Sequence, residues 1–199
     1  MFIEYSDIEK EYLKSVDSSL AKVIERFGHI YREMETDLFS SVVRHIIGQQ
    51  ISTAAQETIY KKLILKVGSL NSQTIDSLTL NELQSIGITF RKANYIKSFA
   101  SKVINGIFNI EELNEKDDQE VIKELTSLDG VGLWTAEMIM IFALGRKDVI
   151  SYGDLAIRRG MEKLYNKDKL NKESFNFYKK LYSSYATIAS LYIWAYSRT

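Results

Sequence analysis

A chain of 199 residues can bury a sizeable apolar core, either as one large domain or as two small ones. The absence of cysteine excludes disulfides, thiol catalysis, thiolate zinc sites and iron–sulfur clusters, and two histidines do not favour a histidine-built metal site. The 26 basic and 26 acidic side chains cancel, which argues mildly against nucleic acid as a partner, although the distribution of charge matters more than its sum.

Helical periodicity runs through nearly every segment, and no convincing run alternates as a β-strand does. Thr36 is placed to cap an apolar stripe that Gly48 interrupts, and Ser52 can cap the next helix. Further on, Thr79-Leu80-Asn81-Glu82 is a capping-box pattern, and Asn105-Gly106 stops the helix that begins near residue 90. The predicted helices lie near residues 38–47, 52–64, 79–86, 90–103, 135–144, 154–165, 172–181 and 186–196, and a further one starts at Asp117 or Asp118 and runs into the glycine turn at 130.

This succession predicts an all-α orthogonal bundle of about ten helices with short connections. No repeat period and no low-complexity linker interrupts the chain. A division into two lobes must therefore come from packing.

The most informative stretch runs from Leu125 to Ala136, where an apolar helix end, a Gly130-Val131-Gly132 turn and a new helix follow one another. Two glycines so close let the backbone bend sharply and leave amides uncovered by any Cβ. Amides at the positive end of a helix dipole form a seat for a phosphate. The alternative is an ordinary helix–loop–helix corner, but the flanking leucines and the small residues after the turn favour a phosphate site.

A lone acidic residue follows one helix and one loop later, in Gly153-Asp154. Asp is a favoured N-cap, so a purely structural role is a strong alternative. The two roles are compatible, because a carboxylate held by helix amides stays ionised and oriented. A reaction that passes through a cationic sugar needs such a group.

These patterns resemble the helix–hairpin–helix (HhH-GPD) DNA glycosylases, and in particular the branch of the 3-methyladenine DNA glycosylase II type. The resemblance extends from about Asp37 to Trp194. Each motif is moderately specific, and four of them in the right order make the resemblance strong. The matching motifs are Ile46-Ile47-Gly48-Gln49-Gln50-Ile51-Ser52, Gly87-Ile88-x-Phe90-Arg91-Lys92-Ala93, Leu128-x-Gly130-Val131-Gly132-x-Trp134-Thr135-Ala136 with Gly153-Asp154, and Tyr192-Ile193-Trp194.

The resemblance implies an all-α, two-lobed fold with the active-site cleft between the lobes. Residues 36–145 would form the lobe that contains the hairpin, and residues 1–35 and 146–199 the lobe that carries the catalytic aspartate. The implied activity is monofunctional base excision repair, in which alkylated purines such as 3-methyladenine and 7-methylguanine are hydrolysed from DNA and an abasic site remains. Two alternatives stay open: a glycosylase for a deaminated or oxidised base, and a non-catalytic DNA-binding protein.

The expected partner is double-stranded DNA with a flipped damaged base, bound by a monomer. No apolar run approaches the ~20 residues that span a bilayer, and residues 1–5 lack the layout of a signal peptide. We therefore expect a cytoplasmic protein without a membrane partner, associated with the nucleoid in a prokaryote.

On the matching positions, the resemblance makes Asp154 the catalytic residue. The wedge that fills the gap left by the extruded nucleotide would be Gln49, Gln50 and Ile51, with Gln50 at the usual apolar position. Substrate-binding roles fall on Trp134, Met138, Tyr152 and Trp194. Further DNA contacts fall on Gly130, Val131, Gly132, Thr135 and Arg158. No cofactor is required and no iron–sulfur cluster is expected, but the carbonyls of Thr126, Leu128 and Val131 would hold a structural Na⁺ or K⁺.

Three details separate this chain from parts of the family. Strand-cleaving relatives carry a lysine where Trp134 stands, and a tryptophan cannot form their Schiff base; core packing is the alternative role for Trp134. Met138 takes the place of a frequent aromatic residue. The loop before the aspartate, Ser151-Tyr152-Gly153, lacks the usual proline. The isolated His29 and His45 are expected to be surface or packing residues.

Overall fold

The computed structural model describes residues 1–35 and 37–199. Within them the fold is almost entirely helical, and the isolated antiparallel bridge between Phe2 and Glu33 is the one strand-like pairing. The helices, in chain order, are α1 (Asp7–Val16), α2 (Ser18–Phe27), α3 (Leu38–Gly48), α4 (Thr53–Val67), α5 (Ser72–Ser77), α6 (Leu80–Ser85), α7 (Phe90–Ile104), α8 (Asp118–Thr126), α9 (Leu133–Phe142), α10 (Leu155–Leu164), α11 (Lys172–Tyr182) and α12 (Ala186–Ser197), with a 3₁₀ turn at Glu111–Asn114 before α8.

The chain divides into two compact units, one formed by Met1–Met34 with Met140–Thr199 and the other by Glu35–Ile139. The hairpin region belongs to the second unit, which we call the hairpin unit. The aspartate region belongs to the first, which we call the aspartate unit. The boundary between the two units falls inside α9, after Ile139.

Side-chain caps begin most helices at the residues that the sequence indicates. Ser52 caps α4, Thr79 forms a capping box at α6, and Asp117 forms another at α8. The cap predicted at Thr36 lies outside the described residues. Asp37 caps α3 through a 2.8 Å bond from the Ser40 amide.

The core of the hairpin unit is organised around α7. Its inner face buries Ala93, Ile96 and Phe99, and the Phe99 ring stacks on Phe39 of α3 with centroids 4.9 Å apart. Helices α3, α5 and α6 pack against it. Burial of these side chains supplies the main stabilisation of the unit, about 1.5–3 kcal/mol for each large apolar group.

The core of the aspartate unit is organised around α12. Residues 186–193 of this helix are all buried, which is the pattern of a helix surrounded by protein. Helix α10 approaches it so closely that a Cβ at Gly160 would lie 2.6 Å from the Ile193 carbonyl oxygen. No helix in the described part of the chain, α12 included, is long and apolar enough to cross a membrane.

Candidate active site and DNA-contact elements

Asp154 is the N-cap of α10 and is 9% exposed. Its Oδ1 atom accepts hydrogen bonds from the Ile157 amide, at 2.9 Å, and from the Trp194 indole Nε1, at 3.1 Å. Hydrogen bonds to an ionised acceptor are the strong ones, and two donors on one oxygen fix the orientation of the carboxylate. The predicted N-cap is confirmed, and contacts with two helices hold the side chain in place.

Trp194 connects this acid to an aromatic layer. Its ring stacks on Phe142 with centroids 5.6 Å apart, and the Arg32 guanidinium lies 5.0 Å from the centroid of the Phe142 ring. The family resemblance implied a substrate-binding role for Trp194. Its hydrogen bond to Asp154 adds an orienting role that the sequence did not predict.

The loop before Asp154 is anchored by Tyr152. Its hydroxyl donates to the Leu170 carbonyl at 3.3 Å, and its ring meets Phe175 edge-on with centroids 5.1 Å apart. The Arg158 guanidinium lies 5.5 Å from the centroid of the Tyr152 ring. These contacts restrain the loop where the family usually has a proline, and they engage two side chains that were predicted to contact substrate or DNA.

The predicted hairpin connects α8 to α9. Gly130 has a φ of +80°, and a Cβ there would overlap the Tyr95 ring, so glycine is required on two counts. A Cβ at Gly132 would meet no atom within 4 Å. The N-terminus of α9 is accessible to solvent, because Gly132, Leu133 and Trp134 are all exposed. A phosphate-binding site requires such access to the backbone amides.

The other predicted residues of the hairpin divide by exposure. Trp134 is 39% exposed, which argues against simple core packing, whereas Met138 is buried. The side chains of Val131 and Thr135 are also buried. Their predicted DNA contacts can therefore involve only backbone groups.

The three predicted wedge residues follow α3 and differ in what they contact. The Gln49 side chain donates from Nε2 to the Gly130 carbonyl at 2.7 Å, so it ties this loop to the hairpin. Gln50 is exposed and has a φ of +59°, an unusual conformation for a residue other than glycine. Ile51 is 38% exposed. Gln50 and Ile51 are thus the side chains that this wedge loop presents to solvent.

Sequence reasoning missed Lys92, a buried lysine of α7. Its ammonium donates to the carbonyls of Ile47 and Gln49, at 2.7 and 2.6 Å, at the C-terminal end of α3. Burial lowers the pKa of Lys92, and the charge of Arg91 lowers it further. The available signal was its place on the buried face of α7, beside Ala93 and one turn before Ile96.

The two histidines pack in separate units. His29 stacks on Tyr5 with ring centroids 4.3 Å apart. Burial lowers the pKa of His45, whose Nε2 lies 3.8 Å from a Glu35 carboxylate oxygen. Among the residues that the structure describes, no group of three His, Cys, Asp or Glu side chains could hold a metal ion.

The chain matches the family described as "HhH-GPD superfamily base excision DNA repair protein" over residues 43–183. It is 27% identical over 197 residues to DNA-3-methyladenine glycosylase 1 of Schizosaccharomyces pombe, which covers 94% of this chain and 86% of that protein. The crystal structure of a DNA-3-methyladenine glycosidase from Bacillus halodurans superposes with a TM-score of 0.88 and 32% identity, over 96% of this chain and 89% of that one. The 3-methyladenine DNA glycosylase of S. pombe in complex with abasic DNA shares the fold, with a TM-score of 0.84 and 24% identity over 96% and 97% of the two chains.

Proposed function

The chain belongs to the HhH-GPD superfamily of base excision DNA repair proteins, and from this membership we propose that it is a DNA glycosylase for alkylated purines. It hydrolyses the N-glycosidic bond in double-stranded DNA and leaves an abasic site. The S. pombe and B. halodurans relatives, named for 3-methyladenine, support this substrate class. The observation that carries the proposal is the Asp154 carboxylate, oriented by the Trp194 indole at the start of α10.

The chemistry begins with extrusion of the damaged nucleotide from the duplex, which costs less for damaged or mispaired bases. An alkylated purine is cationic, so it leaves with the electron pair of the glycosidic bond and needs little help from an acid. The Asp154 carboxylate stabilises the oxocarbenium-like sugar and orients the water that adds to it. An aromatic face attracts the cationic base, and such a contact contributes ~0.5–2 kcal/mol. The ring of Trp194, which donates to Asp154, offers such a face.

We propose that the enzyme acts as a monomer and has no lyase activity. Strand cleavage in the relatives that carry it out depends on a lysine amine, and Trp134 has no nucleophilic amine at the matching position. The open N-terminus of α9 binds a DNA phosphate through its backbone amides.

We propose that the carbonyls of Thr126, Leu128 and Val131 hold a structural monovalent cation. Thr126 ends α8, where helix carbonyls lack intrahelical partners and the dipole is negative. The Leu128 oxygen accepts a bond from the Val131 amide at 3.1 Å, and a carbonyl oxygen has two lone pairs. A cation bound there would neutralise the end of α8 and brace the hairpin.

Free-base release from methylated duplex DNA tests the proposal directly. We expect the natural chain to release 3-methyladenine or 7-methylguanine, and Asp154→Asn to release it at least about 100-fold more slowly, since a preorganised charge is lost. Asn is itself a favoured N-cap, so the fold is retained and circular dichroism stays unchanged. Asp117→Asn, at the cap of α8, is the matched control and keeps full activity.

Equal release by Asp154→Asn and the natural chain would reduce Asp154 to a helix cap and overturn the mechanism. If the protein released only deaminated or oxidised bases, its substrate would be that class of base and not alkylated purines. Binding to alkylated duplexes without any base release would instead indicate a non-catalytic DNA-binding protein.

A further inference from the structure

One side of α7 contacts both elements that are proposed to touch DNA. Near its start, Lys92 binds the backbone of the wedge loop. One turn later, the Tyr95 ring occupies the space beside Gly130. One turn further on, the Ser98 hydroxyl donates to the Asp129 carboxylate at 2.8 Å. Near the end of α7, the Lys102 ammonium donates to the Ser127 carbonyl at 3.3 Å. The wedge loop and the hairpin are therefore held by one helix.

A direct bond joins the two elements as well. The Gln49 side chain donates to Gly130, while the Gln49 carbonyl accepts from Lys92. Both the backbone carbonyl and the side chain of Gln49 thus form hydrogen bonds in the absence of DNA. The strained backbone of Gln50 follows immediately, and such a conformation persists only where the surrounding structure enforces it.

Lys92 is the group that can enforce it. Its ammonium is buried beneath the last turn of α3, where helix carbonyls are unpaired and the dipole is negative. The two short bonds fix the direction of the chain where it leaves α3. A buried charge is costly unless it is fully hydrogen-bonded, so relaxation of this loop would leave the ammonium without partners.

We propose that Lys92 is a positioning residue for nucleotide extrusion: it holds the Gln49–Ile51 loop in the conformation that enters the duplex. The proposal rests on the proposed glycosylase function and concerns the step before bond cleavage. Loss of the ammonium lets the loop relax, and extrusion from a stable base pair becomes inefficient. Bases that are already unpaired need less help.

The test compares Lys92→Met with the natural chain on two duplexes, one with 7-methylguanine opposite cytosine and one with it opposite an abasic-site analogue. We expect single-turnover release to fall about 10- to 100-fold on the paired lesion, the scale of a small misplacement of a reactive geometry. On the unpaired lesion, with protein at a saturating concentration, the rate changes less than about threefold. Lys92→Arg, which keeps the donors, restores most of the rate on the paired lesion.

Lys97→Met is the matched control. Lys97 also lies on α7 and donates to two carbonyls, those of Asp76 and Leu78 at the end of α5, at 2.5 and 2.8 Å. Its loss costs comparable stability but leaves the ratio of the two rates unchanged. An equal fall on both duplexes for Lys92→Met, or no fall on either, overturns the proposal.

A readout without catalysis separates this inference from the proposed function. The Gln49–Ile51 loop would enter the duplex whether or not a base has to be extruded. Binding to a duplex with an abasic-site analogue, followed by fluorescence anisotropy, therefore weakens about tenfold in Lys92→Met and is retained in Lys97→Met. If the natural chain binds this duplex but releases no base, the proposed glycosylase function is wrong. The affinity of Lys92→Met for the duplex still decides whether Lys92 positions the loop. If the affinity of Lys92→Met equals that of the natural chain, the positioning role is wrong.

Discussion

At the scale of single residues, the Asp154 carboxylate makes two contacts of different kinds. The Ile157 amide makes it a helix cap, and the Trp194 indole directs the same oxygen from a helix 40 residues away. Side-chain caps also begin other helices of this chain, such as α4, α6 and α8. The indole contact is what distinguishes this aspartate from Asp117, whose side chain accepts only from backbone amides of its own helix.

Trp194→Phe tests the orienting contact. Phenylalanine keeps an aromatic ring against Phe142 but has no N–H, so Asp154 loses one charge-assisted bond. We expect kcat for base release to fall about tenfold, part of the ~1.5–3 kcal/mol of such a bond, with a smaller change in KM for DNA. Steady-state kinetics with a thermal melt of each protein provides the measurement. An unchanged kcat would show that the indole N–H does not assist the acid.

Residue patterns predicted Asp154 and the glycines but not the links to the wedge loop. The Lys92 and Gln49 bonds join residues 43 to 81 positions apart. Neither a capping rule nor helical periodicity describes contacts at such separations, because they depend on how the helices pack. In the sequence, Lys92 is visible as a charged residue on an apolar face and as part of the Gly87–Ala93 motif, but neither signal identifies its partners.

At the scale of elements, the two glycines of the hairpin have different physical roles. Gly130 is needed for its positive φ and for the space that Tyr95 fills, whereas Gly132 is surrounded by open space. The first therefore serves the fold of the hairpin unit. The second keeps the approach to the α9 amides clear.

Substitution by alanine separates these roles. Gly130→Ala lowers the free energy of unfolding by about 2 kcal/mol or more, because it adds both strain and a clash. Gly132→Ala changes it by less than about 0.5 kcal/mol but weakens duplex binding, because its methyl group stands where a phosphate approaches. Urea unfolding and anisotropy titrations measure the two effects. Full DNA affinity in Gly132→Ala would remove the α9 N-terminus from the interface.

Local signals account for most of the helices. Caps at Ser52, Thr79 and Asp117 mark starts that are visible in the sequence, as is the stop at Asn105. The predictions missed α1, α2 and α5, although Ser6 and Asn71 form capping boxes before two of them. Helix α9 begins two residues earlier than predicted, because the turn after Gly132 leads directly into helix.

At the scale of the whole molecule, zero net charge hides an uneven distribution along the chain. Residues 140–199 carry eleven basic and five acidic side chains, whereas residues 111–124 carry seven acidic and two basic ones. Local positive potential, not the total, determines attraction to phosphates. A neutral protein can therefore bind DNA through part of its surface.

Duplex binding without a lesion tests this distribution. We expect affinity to fall about 10- to 100-fold between roughly 50 and 200 mM salt, as for a few phosphate contacts that release counterions. Anisotropy titrations at several salt concentrations give the slope directly. Affinity that does not change with salt would exclude a local basic surface as the source of binding.

The connectivity of the two units has a consequence for synthesis on the ribosome. Residues 35–139 leave the ribosome as one uninterrupted stretch, and domains generally fold as units, N-terminal parts first. The aspartate unit needs the two ends of the chain, and the indole donor of Asp154 is added 40 residues after the acid itself. A translation product that stops between residues 139 and 193 thus contains every residue of the hairpin unit but lacks the indole that donates to Asp154.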